Sequence, residues 1–205
     1  MSTTPLTIGV LALQGDFDAH RRALERLGVR TVLVRKPEEL DGIDGLVIPG
    51  GESSTFLKFL EREGFLEKLR DFVSTKPAFG TCAGAILLAK EVLNPSQPSL
   101  GALDIAIRRN AYGRQIDSSI MMSATSLGTE PLEMVFIRAP RIERTGKSVE
   151  VLAEREDHPV LVRDGKILAA TFHPELSSDL RVHQLFLDMV KQARNGNASG
   201  GNRLE

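Results

Sequence analysis

Short apolar runs, set between longer segments of helical period, constrain the fold of this chain more than any other feature. Four such runs are bounded by glycine or proline and lie at residues 8–13, 31–34, 45–48 and 78–80. Runs of this length suit strands buried on both faces, because helices cover each side of a parallel sheet. The pattern therefore predicts an α/β fold with a parallel sheet.

Three segments have the apolar periodicity of helices, and each has a recognisable boundary. Gly28 ends the first, Ser54 or Thr55 caps the second, and Asp179 precedes the third. The apolar positions are Phe17, Leu24 and Leu27, then Phe56, Leu57, Phe59 and Leu60, and finally Val182, Leu185, Phe186, Met189, Val190 and Ala193. We expect these helices to pack their apolar faces on the sheet.

The second half of the chain favours further strands, at residues 132–137, 149–153, 160–162 and 167–171. Asp164-Gly165 joins the last two, and Asp-Gly suits the left-handed turn of a twisted hairpin. The expected fold class is thus a single α/β domain over residues 1–194, with a mixed, mostly parallel sheet flanked by helices. Residues 195–205 are rich in glycine, asparagine and serine, so we expect a flexible tail there.

Composition argues against several classes of function. The 205 residues carry a formal net charge of -1 with both signs intermixed, which leaves no basic stripe for nucleic acid. No basic segment precedes the N-terminal apolar run, and no stretch approaches the ~18–20 apolar residues of a membrane span. One cysteine and four scattered histidines lack zinc-ligand spacing. We expect a cytoplasmic protein with no metal and with no nucleic-acid or membrane partner.

Cys82 carries the strongest chemical signal. It stands between a short apolar strand and an apolar helix as Gly80-x-Cys82-x-Gly84, a pattern typical of a nucleophile elbow with cysteine in place of serine. Small neighbours let the chain pass closely on both sides of a strained turn, and the helix N-terminus favours the thiolate. The amide of Ala83 would face a developing oxyanion. The alternative is a small buried cysteine in a tight turn.

A general base and its orienting group are offered by His173 and Glu175. We expect a strand to end at Phe172, so the two-residue step places both side chains on one side of an extended backbone. The carboxylate would then hold the imidazole in its productive tautomer. The alternative is a solvated pair in a loop.

The loop Pro49-Gly50-Gly51 follows a predicted strand and gives the backbone freedom to turn. The amide of Gly51 is therefore a candidate for a second oxyanion donor. The loop is superficially similar to a phosphate-binding loop, but the lysine of that motif is absent. Nucleotide binding is not expected.

Six pieces of the sequence carry a family resemblance: Gly9-Val-Leu-Ala-Leu-Gln-Gly15, Pro49-Gly-Gly-Glu-Ser-Ser-Thr55, Gly80-Thr-Cys-Ala-Gly84, Arg109-Asn-Ala-Tyr-Gly-Arg-Gln115, Phe136-Ile-Arg-Ala-Pro140 and Phe172-His-Pro-Glu175. In this order they resemble the class I (triad) glutamine amidotransferase family over most of the chain. The elbow and His-Pro-Glu are shared by the whole family, whereas the first, fourth and fifth pieces point to its pyridoxal phosphate branch. The chain departs from that branch at Ala19, where glutamate is usual, and at Ser119, where an aromatic residue is usual.

The resemblance implies a flavodoxin-like glutamine amidotransferase architecture and a set of residue roles. Cys82 would be the nucleophile, His173 the general acid and base, and Glu175 the carboxylate that orients it. The residues that would contact the substrate L-glutamine are Gly51, Glu52, Ser53, Arg109, Ile137 and Arg138. Guanidinium groups suit the α-carboxylate and Glu52 suits the α-ammonium group, although both arginines could instead form surface ion pairs.

The resemblance also implies a partner. Ammonia would pass to a separate synthase subunit, which builds pyridoxal 5'-phosphate from a pentose phosphate and a triose phosphate, and this chain would need no cofactor. Up to twelve glutaminases would surround a dodecameric synthase core. Gln14 and His20, in the loop and helix after the first strand, are our candidates for the contact with that partner, although His20 could be an ordinary helix-face residue.

Three other functions stay open at this point. A glutaminase of another pathway, such as histidine or carbamoyl phosphate synthesis, would share the triad but not the sequence at residues 136–140. A cysteine hydrolase or chaperone-like relative would usually lack the His-Pro-Glu strand end. A non-enzymatic docking subunit would be indifferent to replacement of Cys82.

Overall fold

The computed structural model of the protein describes residues 5–61, 64–109, 111 and 118–200, with side chains up to residue 196. Its elements are β1 (Thr7–Leu11), α1 (Phe17–Arg26), β2 (Arg30–Val34), β3 (Gly45–Ile48), α2 (Ser53–Glu61), α3 (Phe65–Thr75), β4 (Ala78–Thr81), α4 (Ala83–Leu88), β5 (Ala89–Leu93), β6 (Leu103–Arg108), β7 (Ser118–Ser123), β8 (Leu132–Ile137), β9 (Arg141–Thr145), β10 (Glu150–Arg155), β11 (His158–Asp164), β12 (Ile167–Ala170) and α5 (Arg181–Gly200). Short 3-10 turns occur at Pro37–Leu40 and Pro174–Leu176.

Within these ranges a seven-stranded sheet forms the centre of the fold, in the order β10-β11-β12-β4-β3-β1-β2. The pairs β1·β2, β1·β3, β3·β4 and β4·β12 are parallel, whereas β10·β11 and β11·β12 are antiparallel. Every residue of β1, β3, β4 and β12 is buried, because helices cover both faces of the sheet. The predicted mixed, mostly parallel sheet is confirmed.

Two apolar layers hold the helices on the sheet. On one face, Phe56 of α2 and Leu69 of α3 pack in the same cluster as Ile48 of β3. On the other face, Leu24 of α1 and Phe186 of α5 pack with residues that include Val47 and Phe79. Adjacent residues of one strand thus supply opposite layers, as the strand period of two requires. These contacts fix α2 to α4 on one side of the sheet and α1 and α5 on the other.

The strand order also decides where a site can form. β4 lies between β3 and β12 and runs parallel to both of them. The carboxyl ends of these three neighbouring strands therefore emerge at one edge of the sheet, where ligands of open α/β sheets usually bind. The segments that follow them carry Gly50 and Gly51, Cys82, and His173 with Glu175.

The predicted hairpin and first helix boundary are confirmed. Asp164 pairs with Ile167 across the turn between β11 and β12, and Gly165 has a φ of +54°. Helix α1 ends at Arg26, and Gly28 follows with a φ of +75° while its amide donates to the carbonyl of Glu25. In both turns the chain needs a left-handed residue that glycine adopts without strain.

The predicted cap of the second helix is wrong. Helix α2 already begins at Ser53, and Glu52 supplies the cap in place of Ser54 or Thr55. The amide of Ser54 donates to Oε1 of Glu52 at 3.0 Å, and the amide of Thr55 donates to Oε2 at 2.7 Å. A carboxylate serves here because it accepts two unpaired amides at once, beside the positive end of the helix.

The expected flexible tail at residues 195–205 begins too early, because α5 continues to Gly200. A helix lengthens by adding one hydrogen bond for each residue it fixes, so a well-packed helix can carry a polar extension. The anchoring turns include Val182, Phe186 and Val190, which are all fully buried. Residues 201–205 lie outside the described residues.

Four strands, β5, β6, β7 and β9, were not predicted. β5, β6 and β9 form a three-stranded sheet, and β7 pairs with β8 in a separate two-stranded ribbon. Residues of β5, β6 and β9 join the apolar cluster of α2 to α4, and residues of β8 join the cluster of α1 and α5. The ends of β6 and β8 lie close to the site described below. None of the helices in the described part of the chain is long and apolar enough to cross a membrane.

Candidate active site

Cys82 occupies a strained turn between β4 and α4. Its backbone has a φ of 48° and a ψ of −104°, outside the regions that non-glycine residues favour. A Cβ added to Gly80 would lie 2.5 Å from the carbonyl carbon and oxygen of Gly84, and one added to Gly84 would lie 2.0 Å from the carbonyl oxygen of Ile48. The turn therefore needs both glycines, which explains the spacing seen in the sequence. Ala83 follows as the first residue of α4.

His173 and Glu175 are in direct contact, but for a different reason from the one we predicted. Strand β12 ends at Ala170, and His173 precedes the 3-10 turn of Pro174–Leu176 instead of lying on an extended strand. The turn folds the carboxylate back, so Nδ1 of His173 lies 2.7 Å from Oε1 of Glu175. The side chain of Glu175 is fully buried and that of His173 is 10% exposed, so the pair is not a solvated loop pair.

The electrostatic environment favours a charged imidazole. Burial alone would lower the pKa of His173, but hydrogen bonds and charge interactions with Cys82 and Glu175 outweigh it and raise this pKa to about 10. Nδ1 is occupied by Glu175, which leaves Nε2 as the nitrogen available for proton transfer. At neutral pH the site thus holds an imidazolium between a carboxylate and a cysteine, the arrangement that supports a thiolate nucleophile.

The loop after β3 lies against this pair. A Cβ added to Gly50 would lie 2.6 Å from Cε1 of His173 and 3.2 Å from Cβ of Cys82. Gly51 has a φ of +138°, so this position also favours glycine. Gln14 supports the loop from the other side, because its Nε2 donates to the carbonyl oxygen of Glu52 at 3.1 Å.

A cavity of about 220 Å³ opens onto Cys82 and His173. Its walls include all six residues that we predicted to contact a substrate: Gly51, Glu52, Ser53, Arg109, Ile137 and Arg138. Ile86 and Pro140 complete the lining and were not predicted as site residues. The periodicity of α4 places Ile86 on the turn after Cys82, and this was the available signal. The cavity brings together five segments of the sequence, at residues 51–53, 82–86, 109, 137–140 and 173.

The charged groups of the cavity are held in different ways. Nη2 of Arg109 donates to the Ser54 hydroxyl at 2.9 Å and lies 4.0 Å from Oε1 of Glu52. The Thr55 hydroxyl and the backbone amides of α2 lower the pKa of Glu52 to about 2, so this carboxylate is ionised. Arg138 is exposed at the cavity with a φ of +42°, a strained conformation for a residue with a side chain. Most of the motif that begins at Arg109 falls on residues 110 and 112–117, outside the described residues.

His20 is misassigned as a partner contact. Its side chain is fully buried, with Nδ1 3.0 Å from Nε2 of His183 and Nε2 3.1 Å from the hydroxyl oxygen of Thr81. Nε2 also lies 3.2 Å from Oε2 of Glu175. Helix α1 points this residue at the sheet, beneath His173 and Glu175, so a docking protein cannot reach it. No sequence pattern distinguishes its neighbour His183 from an ordinary residue of α5.

Comparison with known proteins agrees with this geometry. The model of the SNO glutamine amidotransferase family matches residues 10–192. A protein of Koribacter versatilis (strain Ellin345) named pyridoxal 5'-phosphate synthase subunit PdxT is 69% identical over 193 residues, 94% of this chain and 98% of that protein. A protein of Thermotoga neapolitana with the same name is 52% identical over 188 residues, 91% of this chain and all of that protein.

Solved structures show the same fold. A crystal structure of a glutamine amidotransferase is 49% identical and superposes with a TM-score of 0.84, covering 90% of this chain and 98% of that one. A glutamine amidotransferase of Thermotoga maritima, 13% identical, superposes with a TM-score of 0.59 over 94% of this chain and 86% of that one, which speaks for the fold alone. The family match extends over nearly the whole domain, from β1 to α5, and the relatives match in both length and sequence. On these grounds the chain belongs to the SNO glutamine amidotransferase family.

Proposed function

We propose that the chain hydrolyses L-glutamine to L-glutamate and ammonia through a thioester at Cys82, and that it delivers the ammonia to the synthase subunit of a pyridoxal 5'-phosphate synthase in the cytoplasm. One observation supports the chemistry: His173, held by Glu175 at 2.7 Å, lines the same cavity as Cys82 and the six candidate substrate contacts. The assignment to pyridoxal 5'-phosphate synthesis is supported by the names of the relatives.

Acylation begins with attack of the Cys82 thiolate on the side-chain carbonyl carbon of glutamine. A carbon–sulfur bond forms, and the carbonyl electrons move to oxygen. The amides of Ala83 and Gly51 are the candidate donors for that oxyanion, because each belongs to a backbone segment beside the nucleophile. When the intermediate collapses, the carbon–nitrogen bond breaks and the His173 imidazolium gives its proton to the departing amine, which leaves as ammonia.

Deacylation uses the same groups in the opposite sense. Neutral His173 takes a proton from water, the resulting hydroxide attacks the thioester carbon, and the carbon–sulfur bond breaks to release glutamate. The thiolate and the imidazolium are then restored, so the cycle consumes one water and needs no cofactor. Glu175 keeps the imidazole oriented and stabilises its charge throughout.

Substrate recognition is assigned to the polar rim of the cavity. The guanidinium groups of Arg109 and Arg138 suit the free α-carboxylate of glutamine, since they offer several donors in a plane. Ionised Glu52 suits the α-ammonium group, although two of its hydrogen bonds already cap α2. Gly51, Ser53 and Ile137 line the remainder of the wall.

The partner is proposed from the relatives and from the resemblance stated above. Up to twelve copies of this chain would surround a dodecameric synthase core. Gln14 remains a candidate contact residue, because it is only half-buried and touches the loop that carries Gly51. His20 is withdrawn from that role.

The deciding experiment measures glutamate release from glutamine by the complex with its co-purified synthase subunit. Cys82→Ala should abolish this activity while partner binding and thermal stability are kept, and added ammonium salt should restore formation of pyridoxal 5'-phosphate. Glutamate release at the wild-type rate by the variant would overturn the nucleophile assignment. A co-purified partner from histidine or carbamoyl phosphate synthesis would overturn the pathway and leave the chemistry intact.

A further inference from the structure

Both oxygens of the Glu175 carboxylate face histidines. Oε1 lies 2.7 Å from Nδ1 of His173, and Oε2 lies 3.2 Å from Nε2 of His20. The side chains of Glu175 and His20 are fully buried, so water does not solvate the second oxygen from the surface. Oε2 makes no well-aligned hydrogen bond with any described residue. A buried charge in this position needs a donor, and the nearest one is His20.

His20 is held in place by three neighbours. Nε2 is aligned with the hydroxyl oxygen of Thr81 at 3.1 Å, and Nδ1 lies 3.0 Å from Nε2 of His183. The rings of His20 and His183 both meet Phe79 edge to face, at centroid distances of 6.1 Å and 5.9 Å. The two imidazoles therefore have fixed orientations at the base of the triad.

The position of the carboxylate indicates which nitrogens carry protons. If Nε2 of His20 were unprotonated, its lone pair would face an anionic oxygen, so the proton belongs on Nε2, between Thr81 and Glu175. Nδ1 of His20 is then an acceptor, and His183 must donate to it from its own Nε2. This leaves Nδ1 of His183 as an unpaired lone pair among the described residues, which costs less than the unpaired N–H of the opposite arrangement.

Both histidines are neutral in this arrangement. Burial lowers the pKa of His20, although Glu175 acts in the opposite direction. Burial and the neighbouring His20 lower the pKa of His183 to about 3. The other charged groups that act on His20 are His173 and Asp16. A neutral pair donates one polarised N–H to Glu175 without adding a positive charge that would compete with His173.

We propose that His20 and His183 are positioning residues for the triad: His183 fixes the tautomer of His20, and His20 presents its Nε2–H to the second oxygen of Glu175. The inference rests on the proposed glutaminase function. Without that N–H the carboxylate takes up a proton more readily and loses its fixed plane. His173 then loses its orienting partner, although neither histidine of the pair touches the substrate.

Matched substitutions separate positioning from packing. A glutamine amide nitrogen reaches the place of Nε2, so His20→Gln keeps the donor and His20→Leu removes it; the same comparison applies to His183. In the complex we expect the leucine variants to lose about 10- to 100-fold in kcat with little change in KM, the usual worth of a hydrogen bond to a charge. The glutamine variants should stay within a few-fold of wild type.

Two further measurements distinguish this role from a structural one. In His20→Leu the acid limb of the kcat/KM profile should move to higher pH, because the carboxylate has lost a donor. The double variant His20→Leu/His183→Leu should equal His20→Leu alone, because His183 acts through His20. Equal activities of the glutamine and leucine variants, an unmoved acid limb, or multiplicative losses in the double variant would each overturn the proposal.

A direct observation covers the case in which the leucine variants do not fold. ¹⁵N chemical shifts of the imidazoles in the full wild-type chain should show both His20 and His183 protonated at Nε2 and neutral at pH 6–8. Protonation at Nδ1 of His20, or a charged ring, would overturn the tautomer assignment. Cys82→Ala distinguishes failure of the proposed function from failure of this inference. If Cys82→Ala keeps activity, the proposed function is wrong. If Cys82→Ala is inactive while His20→Leu is fully active, only the positioning role of His20 is wrong.

Discussion

The α-carbon of Gly15 lies against the carbonyl oxygen of Gly50, so closely that an added Cβ would be 1.8 Å from that oxygen. Gly15 follows β1, and Gly50 follows β3, the neighbouring strand. In this conformation of the loop the contact sets the direction of the Gly50 carbonyl, and in a trans peptide the amide of Gly51 points the opposite way. The first loop of the chain thereby controls a proposed oxyanion donor.

Gly15→Ala should displace this peptide and reduce kcat by about 10²- to 10³-fold, the usual effect of a lost oxyanion donor. Gly28→Ala is the matched control. Gly15 and Gly28 have φ values of +78° and +75°, but nothing lies within 4 Å of a Cβ added to Gly28. Backbone strain should cost each variant about 1–2 kcal/mol of stability, and the clash with Gly50 adds to this cost in Gly15→Ala. Only Gly15→Ala should lose activity. Similar kcat values for the two variants would show that the contact does not govern catalysis.

The triad should behave as one unit. His173→Asn is expected to be nearly as damaging as Cys82→Ala, whereas Glu175→Gln should be milder, because an orienting group acts only through the base. Glutamate release by the double variant Cys82→Ala/His173→Asn is the measurement. Its activity should be close to that of either single variant, and a product of two independent losses would argue against a shared catalytic unit.

The raised pKa of His173 links stability to pH. Its neighbours raise this pKa from 6.5 to about 10, so the imidazolium stabilises the folded state fully below pH 6.5, and the contribution is lost as the pH rises through about 10. Denaturant unfolding of wild type and His173→Asn should show a stability gap that narrows over this interval. His158→Asn, at the start of β11, controls for the loss of a histidine. A gap that is constant with pH would contradict the assigned charge state.

The isolated chain should be a poor glutaminase that becomes active when its partner docks near the first loop and the Gly50-Gly51 peptide. This peptide could offer either its carbonyl or its amide to the oxyanion, and only the amide stabilises the tetrahedral intermediate. Steady-state turnover of the isolated chain and of the complex tests the idea, with the Cys82→Ala complex as background. Equal turnover of the two would remove the gating and leave the triad untouched.

The parts of the fold that were predicted have strong local signals. β3 and β12 are short and wholly apolar apart from glycine, and Asp164-Gly165 is a direct signal for a hairpin. The missed strands lack such signals. β9 reads Arg-Ile-Glu-Arg-Thr, and β5 follows α4 at once, so no glycine or proline marks the boundary. Their pairing comes from tertiary contacts, which override local propensity.

The site shows the same division. Cys82, His173 and Glu175 lie in short sequence motifs, and these motifs indicate a nucleophile, a base and an orienting carboxylate. The contact between His20 and His183 joins residues 163 positions apart on two different helices, and no local sequence pattern predicts it. Even the correct pairing of His173 with Glu175 rested on an expected extended strand, whereas a 3-10 turn produces it. Local sequence motifs identify the reactive groups, whereas the tertiary fold determines which of these groups are in contact.

β3 and β12, the strands on either side of β4, are made at very different times during synthesis. Cys82 leaves the ribosome early, but the strand that leads to His173, its proposed base, begins only at Ile167. At about 5–20 residues per second, roughly 5–20 seconds pass between the nucleophile and His173. A nascent chain arrested before Ile167 is therefore expected to possess the thiol and yet release no glutamate, which translation products of defined length would reveal. The chain cannot begin to consume glutamine until synthesis has passed His173 and Glu175.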